Sequence, residues 1–423
     1  MDIDSVCALL RKGANQLALH TAAQKNHALE CVAASILNNR ENILAANARD
    51  VNEARQKGMT EALVERLALD DKKFKSILDG INTVIQQKDP VGEEIAGWTL
   101  PNGLQIRQTR VPLGVVAIIY ESRPNVTVDA FTLAYKSGNS ILLRGSSSAL
   151  ESNLALSKAI EEGLAKAGSD GVKHSLYLCQ SGDHAEVNQI LGAVGKIDVV
   201  LPRGSAKLIN LVVQNAKIPV IQTGSGVCHL YVDETADISS AAQIALNAKT
   251  QRPGACNAIE TILVNKKIAG EFLPLLAKTF AGKVQIRADE VCYPILQAQM
   301  SLQDSKLLAR ATNEDFGFEF LDYIVAVKAV DSVEEAIDFI NTHNTKHSEA
   351  IVTNDRSHAR AFQTRVDAAC VYVNASTRFT DGNQFGFGAE LGISTQKLHA
   401  RGPMGAQALT TTKFLIDGDG QIR

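Results

Sequence analysis

Short runs rich in β-branched and apolar residues, at 114–120, 140–143, 175–179, 199–201, 220–221 and 229–232, alternate with segments whose apolar residues recur at helical spacing. A second series follows at 260–264, 323–330, 350–353 and 371–374, interrupted by helical stretches such as 332–341. Parallel strands cannot be joined by a tight turn and need a crossover of helix length, so this alternation predicts an α/β fold built on parallel sheets. The break between the series predicts two such units meeting near residue 228, with a cleft between them.

The opening region differs. From residue 4 to about 88 the pattern is helical throughout, with Leu17, Leu29, Val32 and Ile36 on apolar stripes, which predicts a helical layer. The period changes at Trp98-Thr99-Leu100-Pro101-Asn102-Gly103-Leu104-Gln105-Ile106-Arg107, where Asn-Gly between alternating arms signals a β-hairpin. A hairpin that protrudes between helices suits an oligomer contact. The stretch 408–416 reads as a strand and is expected to pair with the hairpin edge of a partner subunit.

Bulk properties exclude several classes. Lys and Arg total 43 against 46 Asp and Glu, giving a formal charge of −3 without a long block of one sign. Nucleic-acid and anionic-membrane roles therefore lack an electrostatic footprint, leaving small molecules and copies of the chain itself as partners. The longest apolar stretch, 115–120, is far short of a membrane span, and Met1-Asp2-Ile3-Asp4 is acidic where a secretory signal is basic. The seven cysteines are scattered with no C-x-x-C pair, which argues against disulfide scaffold and zinc site and fits a reducing compartment, hence a cytoplasmic protein. His343 and His347 have helical spacing, but the glutamate of a zinc-protease motif is missing, so no metal is expected.

In Gln251-Arg252-Pro253-Gly254-Ala255-Cys256-Asn257-Ala258 a cysteine sits where a Pro-Gly turn meets a strand. That placement suits a nucleophilic thiolate held near backbone N–H groups, although a small core residue is the commoner use of a lone cysteine. Neither usual nucleotide fingerprint, G-x-G-x-x-G or G-x-x-x-x-G-K-[ST], occurs. Instead, Arg144 leaves the carboxyl end of a strand and is followed by Gly145-Ser146-Ser147-Ser148, with no carboxylate to accept from a ribose 2′-OH. A guanidinium and hydroxyls suit a 2′-phosphate, favouring NADP(H) over NAD(H). After Leu201-Pro202-Arg203, Gly204 and Ser205 open a helix whose free N–H groups would hold a phosphate. Cys228 and His229 are strand neighbours whose side chains point to opposite faces, so Cys228 reads as core.

The whole order resembles the aldehyde dehydrogenase superfamily. The residues that carry the likeness are Tyr120-Glu121-Ser122-Arg123-Pro124-Asn125-Val126-Thr127, Lys136-Ser137-Gly138-Asn139, Leu201-Pro202-Arg203-Gly204-Ser205, Gly226-Val227-Cys228-His229, His347-Ser348-Glu349-Ala350, and Gly388-Ala389-Glu390-Leu391-Gly392. The likeness is strongest to the branch that reduces an acyl phosphate. It implies NADPH-dependent reduction of L-glutamyl 5-phosphate to L-glutamate 5-semialdehyde through a cysteine thioester, the second step of proline biosynthesis from glutamate. Another acyl-reducing or aldehyde-oxidising member of the superfamily is the alternative, and a catalytically silent nucleotide-binding protein a more distant one.

By this resemblance Cys256 is the nucleophile, Arg144 and the Gly204-Ser205 helix start hold the adenosine side and the pyrophosphate, and Glu319 takes the nicotinamide ribose. Asn125 or Arg123 is the oxyanion donor, Arg123, Arg252 and Arg378 are basic candidates for the substrate's charged groups, and His347 lines the site. The resemblance also implies a cofactor-binding domain over 1–95 and 112–227 and a catalytic domain over 228–375. An oligomerisation hairpin and strand take 96–111 and 405–423, and 376–404 forms a return segment lining the cleft. A homo-oligomer and a functional association with glutamate 5-kinase follow from the same likeness. One departure is chemical: where aldehyde-oxidising members carry a water-activating glutamate upstream of the cysteine, this chain has Gln222. An amide accepts no proton at neutral pH, which disfavours hydrolysis of a thioester.

Overall fold

The computed structural model describes residues 2–180, 183–299 and 304–423. It divides into two compact units, one of Met1–Thr223, Gly386–Gly392 and Pro403–Arg423, the other of Gly224–Phe385 and Ile393–Gly402.

Five helices lead the first unit: α1 (Ile3–Leu17), α2 (Ala22–Asn38), α3 (Arg40–Gln56), α4 (Glu61–Leu67) and α5 (Asp71–Gln86). Side chains start several of them. The Asp2 carboxylate accepts from the first turn of α1, and Thr21 with Gln24 forms a capping box on α2. Cys7, Leu10 and Ala14 of α1 then pack with Val115, Ala117 and Ile119 in one core.

Next come the hairpin strands β1 (Glu94–Thr99) and β2 (Gln105–Pro112), antiparallel with Trp98 opposite Ile106. The terminal strand Thr410–Asp417 corrects an expectation, because it pairs with β2 of its own chain, from Thr410 opposite Pro112 to Asp417 opposite Gln105. β1 covers only one edge of β2, and a terminal strand of equal length, eight residues, satisfies the other edge internally.

The remaining elements of this unit are β3 (Val115–Tyr120), α6 (Asn125–Lys136), β4 (Ser140–Arg144), α7 (Leu150–Lys166), β5 (Leu176–Leu178), α8 (His184–Leu191), β6 (Val199–Arg203) and α9 (Ala206–Asn215). They form a parallel sheet in the order β5-β4-β3-β6. β3 is buried along its whole length, as a strand covered on both faces must be. The run at 220–221 reaches only an isolated bridge, Val200 to Val220, since Pro219 removes a donor beside it. Strand order, not chain direction, reverses at β3, which has β4 on one side and β6 on the other, and α/β sheets take ligands outside the carboxyl ends of strands at such a switch point.

The Lys136-Ser137-Gly138-Asn139 block is structural. Lys136 is fully buried and donates to Asn26 Oδ1 at 2.7 Å and to the Ile85 carbonyl at 3.1 Å. Gly138, at φ 80°, ends α6, and Asn139 then holds the Gly114 N–H at 2.7 Å and the Leu409 carbonyl at 2.9 Å.

The second unit contains β7 (Cys228–Val232), α10 (Ile238–Thr250), β8 (Ile259–Asn265), α11 (Lys266–Phe280), β9 (Gln285–Ala288), α12 (Cys292–Gln299), β10 (Leu308–Arg310), β11 (Ile324–Val330), α13 (Val333–His343), β12 (Ser348–Val352), α14 (Arg356–Arg365) and β13 (Cys370–Val373). Its sheet is parallel, in the order β10-β9-β11-β8-β7-β12-β13. Alternate residues feed two cores: Leu230, Ile262 and Ala350 meet Ala245 of α10 and Leu273 of α11 on one face. Tyr231, Leu263 and Ile351 meet Ile337 of α13 and Phe362 of α14 on the other. β9 and β10, four and three residues long, are too short to show a period in the sequence.

Gly163 sets how closely α7 approaches α2, because a Cβ there would lie 2.5 Å from Cα of Val32. Gly163→Ala is expected to cost about 1–3 kcal/mol through overpacking, read as a lowered denaturant midpoint at unchanged m-value. An unchanged midpoint would show that the two helices part freely.

Candidate active site

The loop from α10 to β8 carries Cys256, which is partly buried. Two turns shape it, with the Ala255 N–H donating to the Arg252 carbonyl at 3.1 Å and the Ala258 N–H to the Ala255 carbonyl at 3.0 Å. Immediately before β7, Gly226 passes so close that a Cβ on it would stand 1.4 Å from the Cys256 carbonyl oxygen. The Gly226 N–H donates to Glu319 Oε1 at 2.7 Å, and the next N–H, of Val227, to Thr345 Oγ1 at 2.9 Å. Cys256 and Glu319, far apart in sequence, are thus brought to one glycine.

Beneath the loop lies a buried polar layer. Cys228 Sγ donates to the Cys256 carbonyl at 3.3 Å and lies 3.8 Å from His347 Nδ1. Burial, reinforced by the nearby Glu349 charge, pushes the Cys228 thiol well above its usual range, so it stays protonated as a donor rather than competing as a nucleophile. His347, itself buried, meets Ser348 Oγ at 2.8 Å, and Ser348 and the Tyr372 hydroxyl each meet Thr380 Oγ1 at 2.7 Å. His229 turns the other way, to Glu349 at 3.0 Å. His343 ends α13 with Nδ1 at 2.8 Å from the Phe339 carbonyl, so His343 and His347 share no helix.

Sequence reasoning missed two supports of this loop. Asn257 Nδ2 donates to the Thr380 carbonyl at 2.9 Å while Thr377 Oγ1 donates to the Asn257 carbonyl at 2.6 Å, stapling the 377–380 segment to the residue after Cys256. Lys249 Nζ and Glu260 Oε2 form an ion pair at 2.6 Å with both side chains fully buried. Burial pushes the Glu260 carboxyl up to about 7 against the pull of Lys249, whose own ammonium burial shifts down. Glu260 Oε1 also accepts the Leu321 N–H at 3.2 Å, and Leu321 adopts a left-handed φ of 55°. The loop bearing Glu319 is therefore fixed to β8. A Lys and a Glu inside otherwise apolar stretches were the available signal.

Arg252 is exposed and Arg378 partly buried, the latter donating from Nε to Gln251 Oε1 at 2.8 Å. Burial and then the charge of Arg252 lower the affinity of Arg378 for its proton, whereas Cys256 and Asp381 act oppositely. Two guanidiniums and the cysteine share one electrostatic neighbourhood.

In the first unit, Arg144 ends β4 and donates to the Asp183 carbonyl at 3.5 Å. Beside it run hydroxyls, Ser122 to Ser148 at 2.7 Å and Ser146 to Ser148 at 2.8 Å. This donor set at the carboxyl end of a parallel sheet fits the phosphates of a nicotinamide dinucleotide. The Gly204-Ser205 helix start brings a correction: its N–H groups are not all free. Glu121 accepts the Ser205 N–H at 2.8 Å and its hydroxyl at 2.7 Å, and a Cβ on Gly204 would stand 2.6 Å from that carboxylate. The helix start does attract an anion, which here belongs to the chain itself.

Asn125 is the first residue of α6, and its Nδ2 donates to Asp129 Oδ2 at 2.9 Å. Burial raises the Asp129 carboxyl to about 6, partly offset by Asn125 and Arg203. Asn125 and Arg123 line one small pocket with Asp129, Arg203 and Glu390. Gln222 lies close to the end of this unit, outside any helix or strand.

The chain belongs to the aldehyde dehydrogenase family, whose model matches residues 1–299 and 318–413. It is 50% identical over 414 residues to the gamma-glutamyl phosphate reductase of Lachnospira eligens, covering 98% of this chain and 97% of that one. The crystal structure of gamma-glutamyl phosphate reductase from Thermotoga maritima superposes with a TM-score of 0.95 at 45% identity, covering 100% of each chain. An acetylating aldehyde dehydrogenase from Geobacillus thermoglucosidasius, 19% identical at a TM-score of 0.72 over 100% of this chain and 97% of that one, shares the fold. The family implies a nicotinamide cofactor. Among the described residues no helix is long and apolar enough to cross a membrane.

Gly226→Ala must displace the Cys256 backbone. Alkylation of Cys256 by iodoacetamide is expected to change at least about tenfold in rate, with a fold retained by circular dichroism. A wild-type rate would mean that the close approach does not position the sulfur.

Proposed function

We propose that the chain reduces L-glutamyl 5-phosphate to L-glutamate 5-semialdehyde and phosphate with NADPH, the second step of proline biosynthesis from glutamate. The observation that carries this is a turn-borne, partly buried Cys256 held against Gly226 and Glu319, in a chain 50% identical end to end to a gamma-glutamyl phosphate reductase. The Cys256 thiolate attacks the acyl carbon and phosphate leaves, so the activated acyl group passes to sulfur without a water-activating base. The Cys256 N–H and either the Asn125 amide or Arg123 stabilise the oxyanion, at about 3 kcal/mol per donor in comparable sites.

Arg144, with Ser146 and Ser148, would hold a 2′-phosphate, Gly204 and Ser205 the pyrophosphate once Glu121 is displaced from Ser205, and Glu319 the nicotinamide ribose. When bound, the cofactor supplies the hydride. Cys256 departs as thiolate when the aldehyde is released and is ready for another cycle. Gln222, an amide, cannot drive hydrolysis to a carboxylic acid. Arg252, exposed beside the nucleophile, suits the departing phosphate, and His347 supports the loop from below. The hairpin with its paired terminal strand is proposed as the contact of a homo-oligomer that works in the cytoplasm. An acyl phosphate is short-lived, which favours association with the glutamate 5-kinase that makes it.

With enzymatically generated glutamyl phosphate, Cys256→Ser is expected to lower NADPH oxidation at least about a thousandfold; near wild-type turnover would exclude the thioester route. Arg144→Ala should weaken NADPH by about tenfold or more relative to NADH, measured by cofactor titration. Equal losses for both cofactors would remove the 2′-phosphate role.

A further inference from the structure

In the second unit, an open pocket of about 370 Å³ lies beside the nucleophile loop. Its polar lining comprises Asn247 from the last turn of α10, Gln251 just after that helix, and Arg378, Asp381, Asn383 and Gln384 from the segment after β13. This is one cation, one anion and four carboxamides, an unusual concentration for a surface that does no more than close a loop.

Two connections tie this wall to the chemistry. Asn257, next to Cys256, donates to the carbonyls of both Arg378, at 3.4 Å, and Thr380, at 2.9 Å. Gln251, five positions before Cys256 on the same loop, accepts from Arg378 Nε at 2.8 Å, which fixes the guanidinium plane. Asp381 is set by its own turn, with Oδ1 accepting the N–H groups of Asn383 at 2.9 Å and Gln384 at 3.3 Å. Among the described residues no hydrogen bond engages its Oδ2, which is left to receive a ligand cation.

The charge pattern selects among the groups of a glutamyl substrate. A phosphate dianion would meet Arg378 but be repelled by Asp381, and it has to leave. An α-amino acid end carries one carboxylate and one ammonium, matching the pair, and stays bound throughout the reaction. Three C–C bonds of about 1.5 Å place its α-carbon about 4 Å from the acyl carbon that Cys256 attacks, so the grip must lie close to the nucleophile loop. The Asn257 staple provides that closeness.

We infer that this pocket is the recognition site for the α-amino acid end of the substrate, with Arg378 holding the α-carboxylate and Asp381 the α-ammonium. The inference rests on the proposed reductase reading and deepens it. It assigns the selectivity of the enzyme to residues downstream of β13 rather than to Arg123 or His347.

The test runs the reaction in the oxidative direction, with NADP+ and inorganic phosphate, on three aldehydes: L-glutamate 5-semialdehyde, 5-oxopentanoate, which lacks the ammonium, and butanal, which lacks both charges. Arg378→Gln is expected to raise KM for the semialdehyde relative to that for butanal by about ten- to hundredfold. Asp381→Asn should raise KM for the semialdehyde relative to 5-oxopentanoate by about tenfold, and Arg378→Lys should recover part of the loss. Circular dichroism melts and cofactor titration establish that each variant is folded. Uniform losses on all three aldehydes, or no change on any, in folded variants of an active parent would overturn the pocket assignment alone. A parent that turns over none of the semialdehyde with phosphate would overturn the reductase reading, and the pocket assignment with it.

Discussion

Everything around the cysteine depends on the backbones of Gly226 and Cys256 passing without a side chain between them. That contact places the segment entering β7 against the loop entering β8, so the two parallel strands begin side by side with Cys228 opposite Ile259. It leaves the Gly226 N–H for Glu319 to accept, and puts the Cys256 carbonyl within reach of the Cys228 thiol. A β-branched or even an alanine side chain would break several relations at once. A glycine was therefore needed for space rather than for a left-handed conformation, which it does not adopt.

The sequence shows the architecture more readily than the supports. Continuous apolar runs such as Val115 to Tyr120 report a strand buried on both faces, and the Asn102-Gly103 hairpin follows from turn chemistry alone. What the runs cannot show is which edge accepts a terminal strand, because a strand records its own pattern and not its neighbour; hence the pairing of Thr410–Asp417 with β2 of the same chain departs from expectation. Cys256 stands out by its Pro-Gly setting. Asn257, the very next residue, does not, since a carboxamide that staples two carbonyls has no distinctive spacing.

The polar residues around the Cys256 loop are buried against the usual cost of desolvation, and pairing is what makes them tolerable. Lys249 and Glu260 neutralise each other, Glu260 also holds the Leu321 N–H, and Ser348, Tyr372 and Thr380 pass hydrogen bonds along a chain. Removing one partner would strand another, which makes the arrangement rigid as a set. Rigidity of this kind would suit the nucleophile proposed at Cys256, whose useful position is defined to a few tenths of an ångström.

Glu121 shows how the same physics acts in the first unit. The start of α9 carries the positive end of a helix dipole with unpaired N–H groups, and a carboxylate from the end of β3 settles on it through both oxygens. A helix start that stabilises a carboxylate stabilises phosphate for the same reason, but one N–H cannot serve two anions at full strength. A phosphate arriving at Ser205 must therefore release Glu121, and the free energy of binding is reduced by whatever the internal pair contributed. That exchange is open to solvent on both partners, so it is screened by salt and easily reversed, unlike the sealed pair of Lys249 and Glu260. The Lys249 and Glu260 charges are thus fixed within the second unit, while the Glu121 charge at the start of α9 is free to exchange with solvent ions.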